Sequence, residues 1–302
     1  MIECLHLTSL VGRTEYCKMP DFKRYLPKNR MDSMATVFAF FGINLIAFFE
    51  LLYVLPDIVE TSPNYPASAK WAHLVCGWYI YLNALSSFWK VIATDPSIRG
   101  LILPTMTRTG WRYCPYCECN APPRSYHCYV CKLCVLRRDH HCVFTGNCIG
   151  HRNHRYYMSL MIFCWVAALY ACILNFSIVL RVFAETGPLA IFKILLPFLV
   201  WVLRYISYGE MLLSAMLLFC MATLMMVSAL LFYHVRNMFC GQITTERTHQ
   251  VFKYDLGWER NVKAVFGKNW KFAWLCTWIP SSLPGDGCEF PVHSEYENPK
   301  DV

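Results

Sequence analysis

The sequence predicts an all-α polytopic membrane protein, with four transmembrane helices and a small cytosolic two-zinc, cysteine-rich domain between the second and third helices. Three observations predict this class. The 302 residues are 56% apolar, and their mean hydropathy is positive. Four apolar stretches are long enough to cross a bilayer, which takes about 20 residues in a helix. Eight of the 17 cysteines lie in one short segment, between Cys114 and Cys148.

The predicted spans cover residues 34–55, 72–92, 157–180 and 211–233. The last span contains no charged residue, whereas the first carries Glu50 and the second ends near Lys90. A fifth apolar run, residues 189–203, is short and is broken by Lys193 and Pro197. We therefore expect the fifth run to lie at the membrane interface or partly buried, and not to cross the bilayer.

The basic residues predict the orientation of the chain. Of the 28 lysines and arginines, six precede the first span, nine lie between the second and third, and eight follow the fourth. Cytosolic loops carry an excess of positive charge, so both termini and the central loop are predicted to be cytosolic. The net charge of +8 then favours contact with anionic lipid headgroups of the bilayer. Nucleic acid is not an expected partner, because the basic residues are spread over three segments beside membrane helices.

Spans and orientation together divide the chain into five predicted parts. These are a cytosolic N-terminal segment, a first helix pair, the cysteine-rich domain, a second helix pair with a lumenal loop, and a cytosolic tail. They cover residues 1–33, 34–92, 93–156, 157–233 and 234–302.

The cysteine-rich segment has the composition of a metal site. Disulfides are not expected there, because thiols stay reduced in the cytosol. Cysteine pairs separated by two residues, with histidines nearby, instead indicate zinc. Three such pairs occur: Cys114 with Cys117, Cys128 with Cys131, and Cys131 with Cys134.

This segment offers more ligands than two tetrahedral sites require. Two sites need eight ligands, whereas the segment holds eight cysteines and three histidines. Cys119, just beyond a pair, is the easiest to set aside as a spare exposed thiol. The spacing leaves open whether His140 or His141, and whether Cys142 or Cys148, binds metal.

The motif carries a family resemblance. It comprises Cys114, Pro122-Pro123-Arg124-Ser125-Tyr126-His127-Cys128, Asp139-His140-His141-Cys142, Cys148 and Asn153. This run resembles the cysteine-rich domain of the DHHC family of protein S-acyltransferases. Three further family marks agree in position, namely Asp95-Pro96-Ser97, Ile243-Thr244-Thr245-Glu246 and Tyr254-Asp255-Leu256-Gly257. The resemblance covers roughly residues 34–270.

The resemblance implies how the ligands divide between two structural zinc ions. The first ion would take Cys114, Cys117, His127 and Cys134. The second would take Cys128, Cys131, His141 and Cys148. Asp139, His140 and Cys142 would stay free of metal. Both sites would have four protein ligands, so zinc would hold the segment together and would not activate a water molecule.

The resemblance also implies an activity for the three free residues. Cys142 would attack the thioester of palmitoyl-CoA, His140 would take its proton, and Asp139 would orient the imidazole. The acyl chain would then pass to cysteines of membrane-associated proteins on the cytosolic side. Phe144 would face the first acyl carbons, and Thr244 would lie near Asp139. By the same resemblance, the expected location is the Golgi or endoplasmic reticulum membrane.

Departures from the family pattern keep other functions open. The family commonly has Pro-Trp where Val143 and Phe144 stand, a threonine where Ile243 stands, and a glycine where Ser97 stands. One alternative is a zinc-organised membrane scaffold, or pseudoenzyme, without acyl transfer. A metal transporter ranks last, because Glu50 and His73 are too few intramembrane ligands for an ion path.

Overall fold

The computed structural model describes residues 26–61, 66–187 and 190–296, and it is mostly helical. The first 25 residues of the predicted N-terminal segment, and residues 297–302 of the predicted tail, lie outside the described residues. The first long helix is α1 Arg30–Phe49, which continues through a π-helical segment, Glu50–Val54, into α2 Leu55–Thr61. The other long helices are α3 Ala67–Ala93, α4 His154–Thr186 and α7 Tyr208–Phe239. The short helices are α5 Ala190–Leu195, α6 Pro197–Val202, α8 Thr244–Thr248, α9 Trp258–Phe266 and α10 Trp270–Ala273, followed by a 3₁₀ turn Ser294–Tyr296.

Three helices are long and apolar enough to cross a membrane, by length and composition: Arg30–Thr61, His154–Phe176 and Tyr208–Phe239. They contain the predicted first and fourth spans, and the predicted third span as far as residue 176. The predicted second span lies in α3, which is 27 residues long but is not one of the three. Two polar residues of α3 bond to Thr277 in the tail. Asn83 Oδ1 accepts a hydrogen bond from the amide of Thr277 at 2.9 Å, and Lys90 donates one to the carbonyl of Thr277 at 3.2 Å. Binding the tail therefore accounts for part of the polarity of α3.

The fifth apolar run forms two short helices instead of one long one. Helices α5 and α6 have six residues each, and Pro197 begins the second. Each is only about 9 Å long at 1.5 Å per residue, which is too short to cross a bilayer. Both helices pack against α7. Leu189, the first residue of this run, lies outside the described residues.

The cysteine-rich segment folds into three two-stranded antiparallel hairpins with three-residue strands. The pairs are β1 Arg112–Cys114 with β2 Cys119–Ala121, β3 Tyr126–Cys128 with β4 Leu133–Val135, and β5 His140–Cys142 with β6 Asn147–Ile149. Each hairpin turn contains one residue in the left-handed region, at Glu118, Lys132 and Gly146. The third hairpin joins the helices, since Cys142 and Ile149 pack in one buried cluster with Val91, Met158 and Met238.

Candidate active site and zinc sites

The first zinc-capable cluster lies between the first and second hairpins. The β1–β2 hairpin supplies Cys114 and Cys117, and the β3–β4 hairpin supplies His127 and Cys134, which face each other across the strand pair. His127 Nδ1 is 3.7 Å from Cys114 Sγ and 3.2 Å from Cys117 Sγ. All four ligand atoms lie within 4.8 Å of one another. Three thiols and one imidazole are a donor set of structural zinc sites, so these residues fit the ion.

The second cluster repeats this arrangement one hairpin further on. The second hairpin supplies Cys128 and Cys131, and the third supplies His141 and Cys148, which are again facing partners. His141 Nδ1 lies 3.8, 3.4 and 3.6 Å from the three sulfur atoms, in that chain order. The other ring nitrogen of His141 faces the buried carboxylate of Asp32 at 3.1 Å. A carboxylate in this position fixes the ring and supports metal binding.

The two clusters are copies of one unit. Each ligand of the second cluster lies fourteen residues after its counterpart in the first, and so do the left-handed turn residues Glu118, Lys132 and Gly146. These groups coincide with the two ligand sets that the family resemblance implies. Cys119 belongs to neither group. It is half-buried opposite Cys114, so the expectation of an exposed thiol is wrong, because the first hairpin packs this side chain against its own core.

Strand β5 separates a metal ligand from two metal-free residues. Side chains of a strand alternate between its faces, so His140 and Cys142 share a face while His141 points to the second cluster. His140 Nδ1 lies 2.7 Å from Asp139 Oδ2. Burial disfavours the charged ring, but hydrogen bonds to Asp139 and Cys142 outweigh it and raise the pKa of His140 to about 9. Burial likewise disfavours the Cys142 thiolate, but its hydrogen bond with His140 prevails and lowers the thiol pKa.

Asp139 is held in place from the start of α8. Its Oδ1 accepts a hydrogen bond from the amide of Thr244 at 2.9 Å, and its Oδ2 accepts one from the Thr244 hydroxyl at 3.0 Å. Burial works against the carboxylate, but the hydrogen bond and charge of His140 outweigh it, so the pKa of Asp139 lies well below its usual range. Thr244 therefore contacts Asp139. It is not among the residues that line the apolar cavity beside Cys142, which is described below.

Two further interactions support the site, and the motif spacing predicted neither of them. His234 of α7 places its Nδ1 3.6 Å from Asp139 Oδ2, and its ring centre is 5.1 Å from that of His140. Arg124 donates two hydrogen bonds, of 2.8 and 2.6 Å, to the buried carboxylate of Glu246, which anchors the first turn of α8. A histidine directly after an apolar span, one residue beyond the predicted end at 233, was the available signal for His234.

A large apolar cavity opens beside Cys142, between α1, α3, α4 and α7. Cys142, Phe144 and Tyr157 line its end next to the hairpins. Ile46, Glu50 and Tyr170 lie among the lining residues of the membrane helices. Phe144 lines this cavity together with Cys142, and its contact with an acyl chain stays a prediction. A thiol with an adjacent imidazole, at the mouth of an apolar cavity, has the arrangement of a nucleophile that receives a hydrophobic group.

These features define a membrane protein with a zinc-capable domain and a buried thiol beside a histidine. Residues 107–251 match the family model described as DHHC palmitoyltransferase. The Danio rerio protein named probable palmitoyltransferase ZDHHC24 is 35% identical, over 97% of this chain and 99% of its own length. The Homo sapiens protein of that name is 34% identical over 82% and 87%, and the Arabidopsis thaliana probable protein S-acyltransferase 12 is 29% identical over 85% and 97%. The chain therefore belongs to the DHHC palmitoyltransferase family of protein S-acyltransferases.

Proposed function

We propose that this S-acyltransferase works through an acyl-enzyme on Cys142, with palmitoyl-CoA as the donor. The supporting observation is the Cys142 thiol, which shares a strand face with His140 and lines the apolar cavity. In the first step His140 takes the thiol proton, and the Cys142 sulfur attacks the thioester carbon. The bond to the CoA sulfur breaks, and the leaving thiolate takes the proton back from His140.

The second step returns the enzyme to its starting state. A cysteine thiol of a protein substrate gives its proton to His140 and attacks the acyl carbon. The Cys142 sulfur leaves as a thiolate and is reprotonated by His140. One thioester replaces another in each step, so the sequence of steps needs no further energy source. Asp139 keeps the imidazole in the required orientation and stabilises its charged form, as its 2.7 Å contact supports.

The remaining parts of the proposal concern zinc, topology and location. Zinc ions in the two clusters would be closed by four protein ligands each and would stabilise the hairpins without taking part in acyl transfer. Helix α3 would be the fourth span, with both termini and the hairpins in the cytosol, as the distribution of basic residues supports. The substrates would be membrane-associated proteins with cytosolic cysteines, in the Golgi or endoplasmic reticulum membrane.

The apolar cavity supports a long acyl chain as the transferred group. Each methylene removed from water is worth about 0.8 kcal/mol, so a long chain gains more from the cavity than a short one. The cavity is lined almost entirely by apolar and aromatic side chains of the four long helices. Phe144 replaces the family's tryptophan and still offers an aromatic face next to Cys142.

The test is incubation of the purified protein with radiolabelled palmitoyl-CoA. We expect a label that hydroxylamine releases, as a thioester requires, and that Cys142→Ala abolishes. Cys240→Ser serves as the background, because this half-buried thiol follows α7 and is a candidate for passive acylation. Cys119→Ser is the matched control, since it removes a thiol of the same domain that belongs to neither cluster, and it should keep the label.

Two other outcomes would reject the proposal. Equal labelling of Cys142→Ala and the parent protein would show that another residue accepts the acyl group. A folded protein with two bound zinc ions and no label at all would favour the zinc-organised scaffold instead.

A further inference from the structure

Glu50 is a buried acid and the one charged residue of the predicted first span, residues 34–55. Only 5% of its surface is exposed, and it lines the cavity that opens beside Cys142. Its Oε1 accepts a hydrogen bond of 2.7 Å from Asn175 Nδ2. Its Oε2 is buried and has no hydrogen-bond partner in the part of the chain that the structure describes. A polar group in this state needs a partner, since buried polar atoms are almost always hydrogen-bonded.

The backbone at Glu50 is also unusual. The α-helix that begins at Arg30 changes at Glu50 to a π-helical segment, Glu50–Val54, and then returns to α-helical geometry. Short π-helical segments within α-helices are rare and occur often at functional sites. Glu50 is the first residue of this segment, so the local change in helix geometry and the unpartnered oxygen occur at one position.

The depth of Glu50 in the cavity corresponds to one palmitoyl chain. Thr36 of α1 donates a hydrogen bond to the carbonyl of Val143, which places that turn of the helix beside Cys142. Glu50 lies fourteen residues further along, which is about 21 Å at 1.5 Å per residue. An extended chain of sixteen carbons has fifteen C–C bonds of about 1.5 Å, each of which advances the chain by roughly 1.3 Å, so it reaches about 20 Å. A chain attached to Cys142 therefore ends near Glu50.

We propose that Glu50 forms a binding site for a hydroxyl group at the far end of the acyl chain. The ligand class is an ω-hydroxyacyl chain of about sixteen carbons, and this inference rests on the proposed function. The hydroxyl would bond to Oε2, while Asn175 holds Oε1 and is itself held by its hydrogen bond to the carbonyl of Ala171. Either protonation state of the acid can serve, because a hydroxyl both donates and accepts hydrogen bonds.

The test compares three acyl-CoA donors on the full-length protein in lipid nanodiscs: palmitoyl-CoA, 16-hydroxypalmitoyl-CoA and 2-hydroxypalmitoyl-CoA. The measured quantity is the initial rate of acylation of Cys142, expressed for each hydroxylated donor relative to palmitoyl-CoA. We expect Glu50→Leu to lower the ratio for the 16-hydroxy donor about tenfold, as one lost hydrogen bond to a buried acid implies. The ratio for the 2-hydroxy donor in Glu50→Leu should stay within about twofold of the ratio in the parent protein. The 2-hydroxyl group lies at the Cys142 end of the cavity, so it does not use the hydrogen bond that the variant loses.

Glu50→Gln supplies the second variant, since its amide keeps a hydrogen-bonding group at the position of Oε2. It should retain most of the 16-hydroxy ratio, and its zinc content should equal that of the parent protein. Equal 16-hydroxy ratios in the parent protein and Glu50→Leu would overturn the inference while leaving the proposed function intact. No hydroxylamine-sensitive label from palmitoyl-CoA in the parent protein would instead reject the proposed function, and this inference with it.

Discussion

The second and third hairpins have the same backbone plan and different chemistry. Cys128 pairs with Leu133 in the second, and Cys142, fourteen residues later, pairs with Asn147 in the third. Three residues after Cys128 comes the ligand Cys131, whereas Thr145 follows Cys142 at the same distance. Among the residues that the structure describes, no further hairpin follows the third one to supply a facing histidine and cysteine.

The residues before the two cysteines complete the contrast. Ser125-Tyr126-His127 precedes Cys128, and Asp139-His140-His141 precedes Cys142. The histidine next to each cysteine belongs to a cluster in both hairpins. The two residues before it change from a serine and a tyrosine to a carboxylate and an imidazole in contact at 2.7 Å. The same hairpin plan therefore makes Cys128 a candidate metal ligand, because other thiols surround it. It makes Cys142 a candidate nucleophile, because an acid and a base lie beside it.

The largest expected effect separates the two cysteines. In the Cys240→Ser background, Cys142→Ala should remove all acylation of the enzyme and leave two zinc ions per chain, because its thiol belongs to neither cluster. Cys128→Ala should lose one zinc ion and the folded structure of the hairpins. Zinc analysis and labelling of both variants check this pair. Loss of zinc in Cys142→Ala would show that the ligand sets are drawn wrongly.

The neighbouring histidines should also differ, with effects of the next size. His140→Ala should keep both zinc ions and acylate about 10²–10⁴-fold more slowly, which is the usual contribution of a positioned base. His141→Ala should lose a zinc ion and become sensitive to protease within residues 114–148. Zinc content, limited proteolysis and acylation rate are measured side by side. If His140→Ala sheds zinc while His141→Ala retains it, the two roles are reversed.

Asp32 supports only the second cluster, so its removal should make the clusters unequal. Asp32→Asn weakens the contact of 3.1 Å to His141. Residues that bond to a metal ligand in this way typically contribute about 10–100-fold to metal affinity. Chelator titration should then release one zinc ion at a lower chelator concentration than the other. Simultaneous release of both ions in Asp32→Asn and parent protein alike would contradict a separate role for Asp32.

The smallest effect concerns the support of Asp139. Thr244→Val removes the hydroxyl hydrogen bond of 3.0 Å but keeps the amide hydrogen bond of 2.9 Å. We expect about a tenfold loss of acylation rate, because a hydrogen bond to a charged group is worth about 1.5–3 kcal/mol and one of the two remains. Thr244→Ser should restore the rate, since it keeps the hydroxyl. An unchanged rate in Thr244→Val would mean that the amide alone positions Asp139.

The sequence was sufficient for much of this protein. Apolar stretches of about 20 residues predicted the three membrane-capable helices, because burying a backbone in lipid requires a helix of that length. Cysteine spacing predicted zinc-capable clusters, because neighbouring ligands on a short turn must meet at one ion. Hydropathy is a weaker signal for residues 72–92, because α3 carries polar side chains that bond to the tail, 187 and 194 residues further along the chain.

The family resemblance implied the division of the ligands, but the physical reason for it lies in strand register. Counting residues left His140 and His141, and Cys142 and Cys148, as alternatives. In the third hairpin His141 and Cys148 are direct partners, and strand alternation turns His140 and Cys142 away from the cluster they form with the second hairpin. The order of residues in the chain does not reveal which strand positions face each other, because register depends on the turn.

The family resemblance implied that Thr244 lies near Asp139, whereas the contact of His234 with Asp139 and the position of Glu50 in the cavity were decided by helix packing. Thr244 lies 105 residues from Asp139 along the chain, and Glu50 lies 125 residues from its partner Asn175. Periodicity predicts which residues share a helix face, but not which face of another helix they meet. That choice comes from the packing of α1, α4 and α7 around the cavity, where side-chain shape and the pairing of buried polar groups select one arrangement.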